Sequence, residues 1–234
     1  DEWRIIEEGF DPRINRASES IFSIGNGQMG QRANFEEDYS GKKLLGHYLA
    51  GVYYPDKTKV GWWKNGYPEY FAKVINAPSW IGVHIRIGDE TVDLARGKVL
   101  EFRRILHMRE GYLERKFRLE LPGGHVVNAG VLRFLSITEP EAAAICYSFT
   151  PENYTGEITV ELDIDGDVRN EDANYKEKFW EPLEVKGEKD GGYLLMKTKK
   201  LDFHVCTGIR GEISVDDRPV ETSPRISRTN VYLS

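Results

Sequence analysis

Residues 80-WIGVHIRIGDETVDL-94 decide the fold class. Ile81, Val83, Ile85 and Ile87 alternate with Gly82, His84, Arg86 and Gly88, so in an extended chain the four apolar side chains share one face. This is the pattern of a half-buried strand. Gly88-Asp89-Glu90 then supplies a turn, and Thr91 to Leu94 runs back, which makes the stretch a β-hairpin.

The same alternation recurs on either side. Phe117, Leu119 and Leu121 alternate with Lys116, Arg118 and Glu120, and the turn Pro122-Gly123-Gly124 reverses the chain into a second hairpin. Ile145, Tyr147 and Phe149 mark another strand ended by Pro151, and Ile158, Val160, Leu162 and Ile164 mark the next. Nearly every strand is followed by a turn, whereas parallel neighbours need a crossover of about a dozen residues or more. The expectation is an all-β chain, a single domain over residues 1–234 built as a large antiparallel β-sandwich of a dozen or so strands. One helix is expected at residues 171–181, stopped by Pro182. Residues 54–79 and 165–192 read as long loops, the kind that carry function in ordered β domains.

Forty per cent apolar residues, with ten Phe and twelve Tyr, fill a core of the size that 234 residues allow. The formal net charge of -6, with basic residues scattered among acids, excludes a general attraction to a phosphate backbone. No stretch has the roughly 20 apolar residues of a membrane span, and the first residues lack an export signal. Cys146 and Cys206 lie inside apolar segments and read as small core residues, which points to the cytoplasm. Neither nucleic acid nor membrane is an expected partner.

Residues 23-SIGNGQMGQR-32 spell G-x-G-x-x-G through Gly25, Gly27 and Gly30. A dinucleotide turn needs a helix after the glycines to present its N-terminal amides to a pyrophosphate. Here no helical apolar stripe follows, and Glu36, Glu37 and Asp38 would repel a phosphate. The glycines therefore read as a strand junction. Glu36, Glu37, Asp38, Glu69 and Asp93 are nominal acid/base candidates, but sequence spacing places no two of them across a cleft, and a solvated or salt-bridged role fits each. Asp163, Asp165 and Asp167 fail the EF-hand pattern at Val168 and Asn174. The five histidines, at 47, 84, 107, 125 and 204, lack metal-ligand spacing, so neither a metal nor a cofactor is expected.

The loop after residue 54 concentrates Trp62, Trp63, Tyr67, Tyr70, Phe71 and Trp80, with three of the five tryptophans inside 19 residues. Rings with a polar handle suit an interface or a saccharide platform, and Lys64, Asn65, Glu69 and Asn76 could serve sugar hydroxyls. A packed mini-core explains the same residues. Tyr175, Phe179 and Trp180 fit a helix docking its apolar face.

The segment 19-ESIFSIGNGQMGQRANFEE-37 resembles the opening motif of glycoside hydrolase family 65, which comprises maltose, kojibiose and trehalose phosphorylases and hydrolytic relatives. Family-like blocks follow in order at 49–54, 76–94, 102–117, 131–160 and 165–172. Ala33 stands where a glycine is common, which suggests a backbone angle any residue adopts. The resemblance implies an N-terminal sandwich of the galactose-mutarotase-like type, preceding a catalytic (α/α)6 barrel in the same polypeptide. It brings no catalytic residue onto this chain. It implies instead a domain that packs on the barrel, helps build a homodimer and lends a loop to the rim of the active site, with Trp62, Trp63, Tyr67 and Tyr70 as the rim or interface residues. The parent would act on an α-linked disaccharide, with inorganic phosphate as co-substrate if it is a phosphorylase and with inversion at the anomeric carbon. Two other readings stand beside this one: a free-standing carbohydrate-binding module, and a mutarotase-like sugar epimerase using a histidine and a carboxylate.

Overall fold

The computed structural model describes residues 2–58, 66–171 and 177–234. The chain begins with β1 (Arg4–Glu8) and the helix α1 (Asn15–Ile21), followed by three short strands, β2 (Ile24–Gly25), β3 (Met29–Gln31) and β4 (His47–Leu49). β5 (Tyr53–Lys57) and β6 (Tyr70–Val74) come next, then β7 (Ser79–Ile87) and β8 (Glu90–Thr91). Five long strands follow: β9 (Lys98–His107), β10 (Tyr112–Glu120), β11 (Val126–Leu135), β12 (Ala143–Pro151) and β13 (Ile158–Asp165). The remainder is β14 (Trp180–Glu188), β15 (Gly191–Thr198), β16 (His204–Arg210), β17 (Ile213–Val215), β18 (Arg218–Val220), β19 (Pro224–Ile226) and β20 (Asn230–Leu233).

Both hairpins expected from sequence form, with Ile87 opposite Glu90 in the first and Glu120 opposite Val126 in the second. Every strand pair among the described residues is antiparallel, as short turns require. Two five-stranded sheets dominate, ordered β1-β9-β10-β11-β12 and β19-β20-β13-β7-β8. Val83, Ile85 and Ile87 of the second meet Phe102, Phe117, Leu119, Val127 and Ala129 of the first in one apolar cluster. A second cluster joins Tyr54, Ile75, Ile164 and Phe179 to Trp180, Leu194 and Met196 on the three-stranded sheet β14-β15-β16.

Several expectations need correction. The supposed loop at 54–79 contains β5 and β6, paired from Tyr53 opposite Val74 to Lys57 opposite Tyr70. The supposed loop at 165–192 contains β14. Of the helix expected at 171–181, residues 172–176, Tyr175 among them, lie outside the described residues, while Trp180 and Glu181 are strand. Pro182 does not stop a helix; it lies where the β14–β15 register shifts, the kind of irregularity that tolerates a missing N–H. Cys146 and Cys206 are exposed, because each falls on the outward phase of its strand.

The one helix among the described residues was not legible. Its inward positions, Asn15, Ser18 and Glu19, are polar, while Ile14 and Ile21 point outward at 52% and 54% exposure. A search for an apolar stripe therefore finds nothing there. The glycine motif is a hairpin: β2 pairs with β3, Gly25 opposite Gly30. Asn26 Oδ1 accepts from the amides of Gln28 (3.0 Å) and Met29 (2.7 Å), and Gly27 takes φ +89° at the tip. Strands on both sides leave no helix N-terminus for a phosphate, and Ala33, as expected, needs no positive φ.

Leu119 is fully buried where the two large sheets meet. Leu119→Ala is expected to lower unfolding free energy by about 2–5 kcal/mol, read as a fall in urea midpoint at unchanged slope.

Candidate functional site

Two features could bear function: the aromatic hairpin β5–β6, and a set of ionisable groups buried between the large sheets. The hairpin has an anchored inner side. Tyr54 is buried with its ring 4.6 Å from that of Phe179, and its hydroxyl donates to Glu177 at 3.2 Å. Lys73 pairs with Asp56 at 2.7 Å while lying over Phe179. Below the hairpin, Asn76 acts as a clamp. Its amide donates to the carbonyls of Leu45 (3.0 Å) and Arg169 (2.9 Å), its side-chain oxygen accepts from His47 N–H, and its carbonyl accepts from Trp180 Nε1 at 2.6 Å. Asn76 therefore serves backbone, not sugar hydroxyls.

The outer side is bare. Tyr53, Val74 and Tyr70 stand on it, Tyr70 at 52% exposure; Tyr67 is 49% exposed, and Phe71, in phase with Lys73 on the inner side, is exposed as well. Tyr67 packs edge-on against Phe71 and Tyr53 against Phe203. Trp62 and Trp63 lie outside the described residues, as do Lys64 and Asn65. Trp80 belongs to β7, and Glu69 is exposed with its carbonyl held by Thr58 N–H. Beside the foot of the hairpin is a cleft of about 240 Å³ lined by Tyr48, Lys73, Asn170 and Glu171. It is smaller than the roughly 300–1,000 Å³ of pockets that enclose whole ligands.

Of the candidate acids, Glu36, Glu37, Asp38 and Asp93 are held in ion pairs or hydrogen bonds. Glu36 and Glu37 are buried, and Arg115 bridges them, with Nη1 2.6 Å from Glu37 Oε1 and Nη2 2.7 Å from Glu36 Oε2. Arg133 holds the other Glu36 oxygen at 2.8 Å and donates to the carbonyls of Asn34 and Arg32. Burial alone would raise the Glu36 pKa, but Arg133 and Arg115 outweigh it and the net shift is downward. Burial disfavours the Arg115 cation as well, and the two carboxylates reverse that, moving it upward. The Tyr147 hydroxyl, raised chiefly by burial, donates to Glu37 at 3.3 Å. Two acids and two arginines compensate one another, which marks an ion-pair node rather than an acid/base pair.

Arg104 extends the node. It lies over the rings of Phe22, Phe35 and Phe102, donates to Asn15 at 3.0 Å and sits 3.3 Å from Glu7, and burial lowers its pKa to about 10. These arginines were detectable: Arg115 is in phase with Phe117 and Leu119, and Arg133 with Val131 and Leu135, so each is a charge on the apolar face of its strand. Asn26 and Arg32 hold backbone, Asn26 at Ser136 and Pro140, Arg32 at Leu44 and Arg16; Arg32 does not reach the acids at 36 and 37 but approaches Glu19 at 3.9 Å. Asp93 caps the amides of Ser40 and Ala95.

No histidine lines either cavity. His84 lies between two carboxylates, Nδ1 3.0 Å from Asp38 and Nε2 3.3 Å from Asp163, and their hydrogen bonds, Asp163 first, raise its pKa to about 10. Cationic at neutral pH, it has no lone pair to take a proton. Gly82 leaves room for this bridge, since a Cβ there would lie 1.6 Å from Asp163 Oδ1. His107 is bound to Glu114 at 2.9 Å and stacked on Tyr112, His47 is buried, His125 packs on Tyr154, and His204 sits 3.4 Å from Asp202. The larger cavity, about 720 Å³ on the outer side of the first sheet, contains no histidine, and its cations are paired, Arg103 with Glu8 and Arg118 with Glu152. Among the described residues no three His, Cys, Asp or Glu are grouped to hold a metal, and no helix is long and apolar enough to cross a membrane.

The family model for the glycosyl hydrolase family 65 N-terminal domain matches residues 5–232. The chain belongs to this family. Maltose phosphorylase of Bacillus subtilis (strain 168) is 44% identical over 205 residues, which is 87% of this chain and 27% of that protein. Alpha,alpha-trehalose phosphorylase of Thermoanaerobacter brockii is 31% identical over 233 residues, 93% of this chain and 30% of that protein. Among solved structures, a putative kojibiose phosphorylase from human microbiome superposes with a TM-score of 0.86 at 28% identity, covering 100% of this chain and 30% of that one. This family 65 N-terminal chain thus spans roughly three-tenths of the length of such relatives.

Arg115→Met leaves two buried carboxylates uncompensated and is expected to cost about 3–5 kcal/mol by chemical denaturation. For Glu36, whose folded pKa is depressed, the stabilisation is complete above its unfolded value and lost as pH falls through the folded one. His84 behaves oppositely: with its pKa raised from 6.5 to about 10, its contribution is full below pH 6.5 and vanishes as pH rises to 10. Thermal melts from pH 6 to pH 10 should show a steeper alkaline loss in wild type than in His84→Gln, and parallel curves would refute the bridge.

Proposed function

We propose that this chain is the non-catalytic N-terminal β-sandwich domain of an inverting disaccharide phosphorylase acting on an α-linked glucoside. In this reading the two five-stranded sheets sharing one core are the layers of the sandwich, and the whole of residues 1–234 is one domain. The reaction belongs to an (α/α)6 barrel in the same polypeptide, where phosphate, or water in a hydrolytic relative, attacks the anomeric carbon from the face opposite the departing sugar. The domain packs on that barrel and contributes to a homodimer. The protein would act in the cytoplasm without a cofactor.

The observation that carries this reading is the 44% identity to a maltose phosphorylase over 87% of the chain, confined to 27% of that protein. The geometry is consistent with a supporting role. The carboxylates nominated from sequence at 36, 37, 38 and 93 are engaged in ion pairs or caps, and His84 lies between two carboxylates. That arrangement also weighs against a sugar epimerase, which needs a free base. Tyr67 and Tyr70, anchored from behind by Tyr54 and Asn76, supply the apolar surface that a rim loop or interface requires.

In the longer polypeptide, Tyr67→Ala and Tyr70→Ala are expected to reduce kcat/KM for the disaccharide by a few-fold to about ten-fold with Tm unchanged, as for loss of an exposed aromatic contact. Unchanged kinetics in both variants would remove the rim role. The 234-residue chain alone, given maltose and phosphate, should yield no phosphorylated sugar. If NMR titration of it with maltose, trehalose or kojibiose shifts aromatic resonances, the carbohydrate-binding-module reading replaces this one.

A further inference from the structure

Four polar atoms are buried without a hydrogen-bond partner where β3 and β4 meet the two large sheets: Gln31 Oε1, His47 Nε2, Trp80 Nε1 and Arg133 Nε. They belong to one neighbourhood. Gln31 and His47 are directly opposite on β3 and β4 and both are buried, so their side chains leave the same face. The His47 and Trp80 ring centroids are 6.4 Å apart. Gln31 Nε2 and Arg133 Nη2 donate to the same carbonyl, that of Arg32, at 3.2 and 3.1 Å.

The role of each atom is fixed by what its neighbours do. Gln31 Nε2 donates to the carbonyls of Arg32 and Gly46, which sets the amide orientation and leaves Oε1 as an acceptor. His47 Nδ1 lies 2.9 Å from the Pro78 carbonyl, which can only accept, so Nδ1 carries the proton. Burial lowers the His47 pKa and keeps the ring neutral, so Nε2 is a bare acceptor. Trp80 Nε1 and Arg133 Nε can only donate. The set is therefore two donors and two acceptors.

We propose that Gln31, His47, Trp80 and Arg133 form the binding site of one internal water molecule, which accepts from Trp80 and Arg133 and donates to His47 and Gln31. Water alone among small ligands offers two protons and two lone pairs at one atom. A cation would face two N–H groups, one on a guanidinium, and an anion would face two lone pairs. Three to four partners is the usual complement of a buried water, and each orphan left dry would lose its hydration with nothing in return. Gln31 and His47 stand on the small sheet, Trp80 on the second large sheet and Arg133 on the first, so this one molecule links three sheets.

A high-resolution crystal structure of the protein should show density within hydrogen-bond distance of Trp80 Nε1, His47 Nε2 and Gln31 Oε1. In solution, the Trp80 indole N–H, assigned by its loss in Trp80→Phe, should give a cross-peak to water of opposite sign in NOESY and ROESY spectra, the mark of a bound molecule rather than of proton exchange. An indole signal with no water contact, or with exchange signs only, overturns the proposal. Should Trp80→Phe not fold, the crystal decides: a dry site, or a direct bond from Trp80 Nε1 to protein, refutes it.

Discussion

Glu36 and Glu37, adjacent in sequence, are both carried into the space between two sheets, and an isolated carboxylate there would cost far more than folding can supply. Arg115 and Arg133 remove that cost by presenting their guanidinium groups from the inner face of β10 and β11. The rest of the N-terminal third follows from this constraint. With the acids fixed, Phe35 and Tyr39 on either side fill the main core, and the Glu36 carbonyl accepts from Val83 N–H, so the segment lies along β7. Asp38 then falls beside His84.

The same segment determines where the aromatic hairpin stands. Chain leaving the acids returns through Leu44, whose amide is held by the buried Glu19 carboxylate, and Leu45, whose carbonyl is held by Asn76. Asn76 lies two residues after the end of β6. The hairpin is thus referenced to the core through a short series of polar contacts, while its exposed rings make none of the core. Residues that hold the architecture and residues offered to solvent are separate sets.

The strands were legible because their apolar residues alternate without interruption: the two hairpins at 80–94 and 117–135 come straight from period two. The helix and the buried arginines are hidden by one physical cause, polar side chains turned inward. Helix α1 buries Asn15, Ser18 and Glu19, so its stripe has no apolar signature. The node arginines interrupt the apolar phase of β10 and β11, and only a reading that asks why a charge sits in phase with Phe117 or Leu135 would single them out. β5 and β6 show no period-two signal because apolar residues stand on the exposed face (Tyr53, Tyr70, Val74) as well as on the buried one (Tyr54). The cysteines misled for the converse reason: an apolar segment contains an outward phase, and both lie on it.

A buried ion-pair node is a weak source of net stability, since well-packed apolar residues of equal volume often do as well. Its effect here is on register. An apolar plug between two sheets can slide by a residue and still bury its surface, whereas Glu36 and Glu37 have partners at one position only. A slip of one residue would break the pairing of Glu36 with Arg133 and of Asp38 with His84 together. The penalty for a misplaced segment therefore far exceeds the net gain from the correct one, and that asymmetry orders the loop from which the exposed aromatic hairpin takes its position.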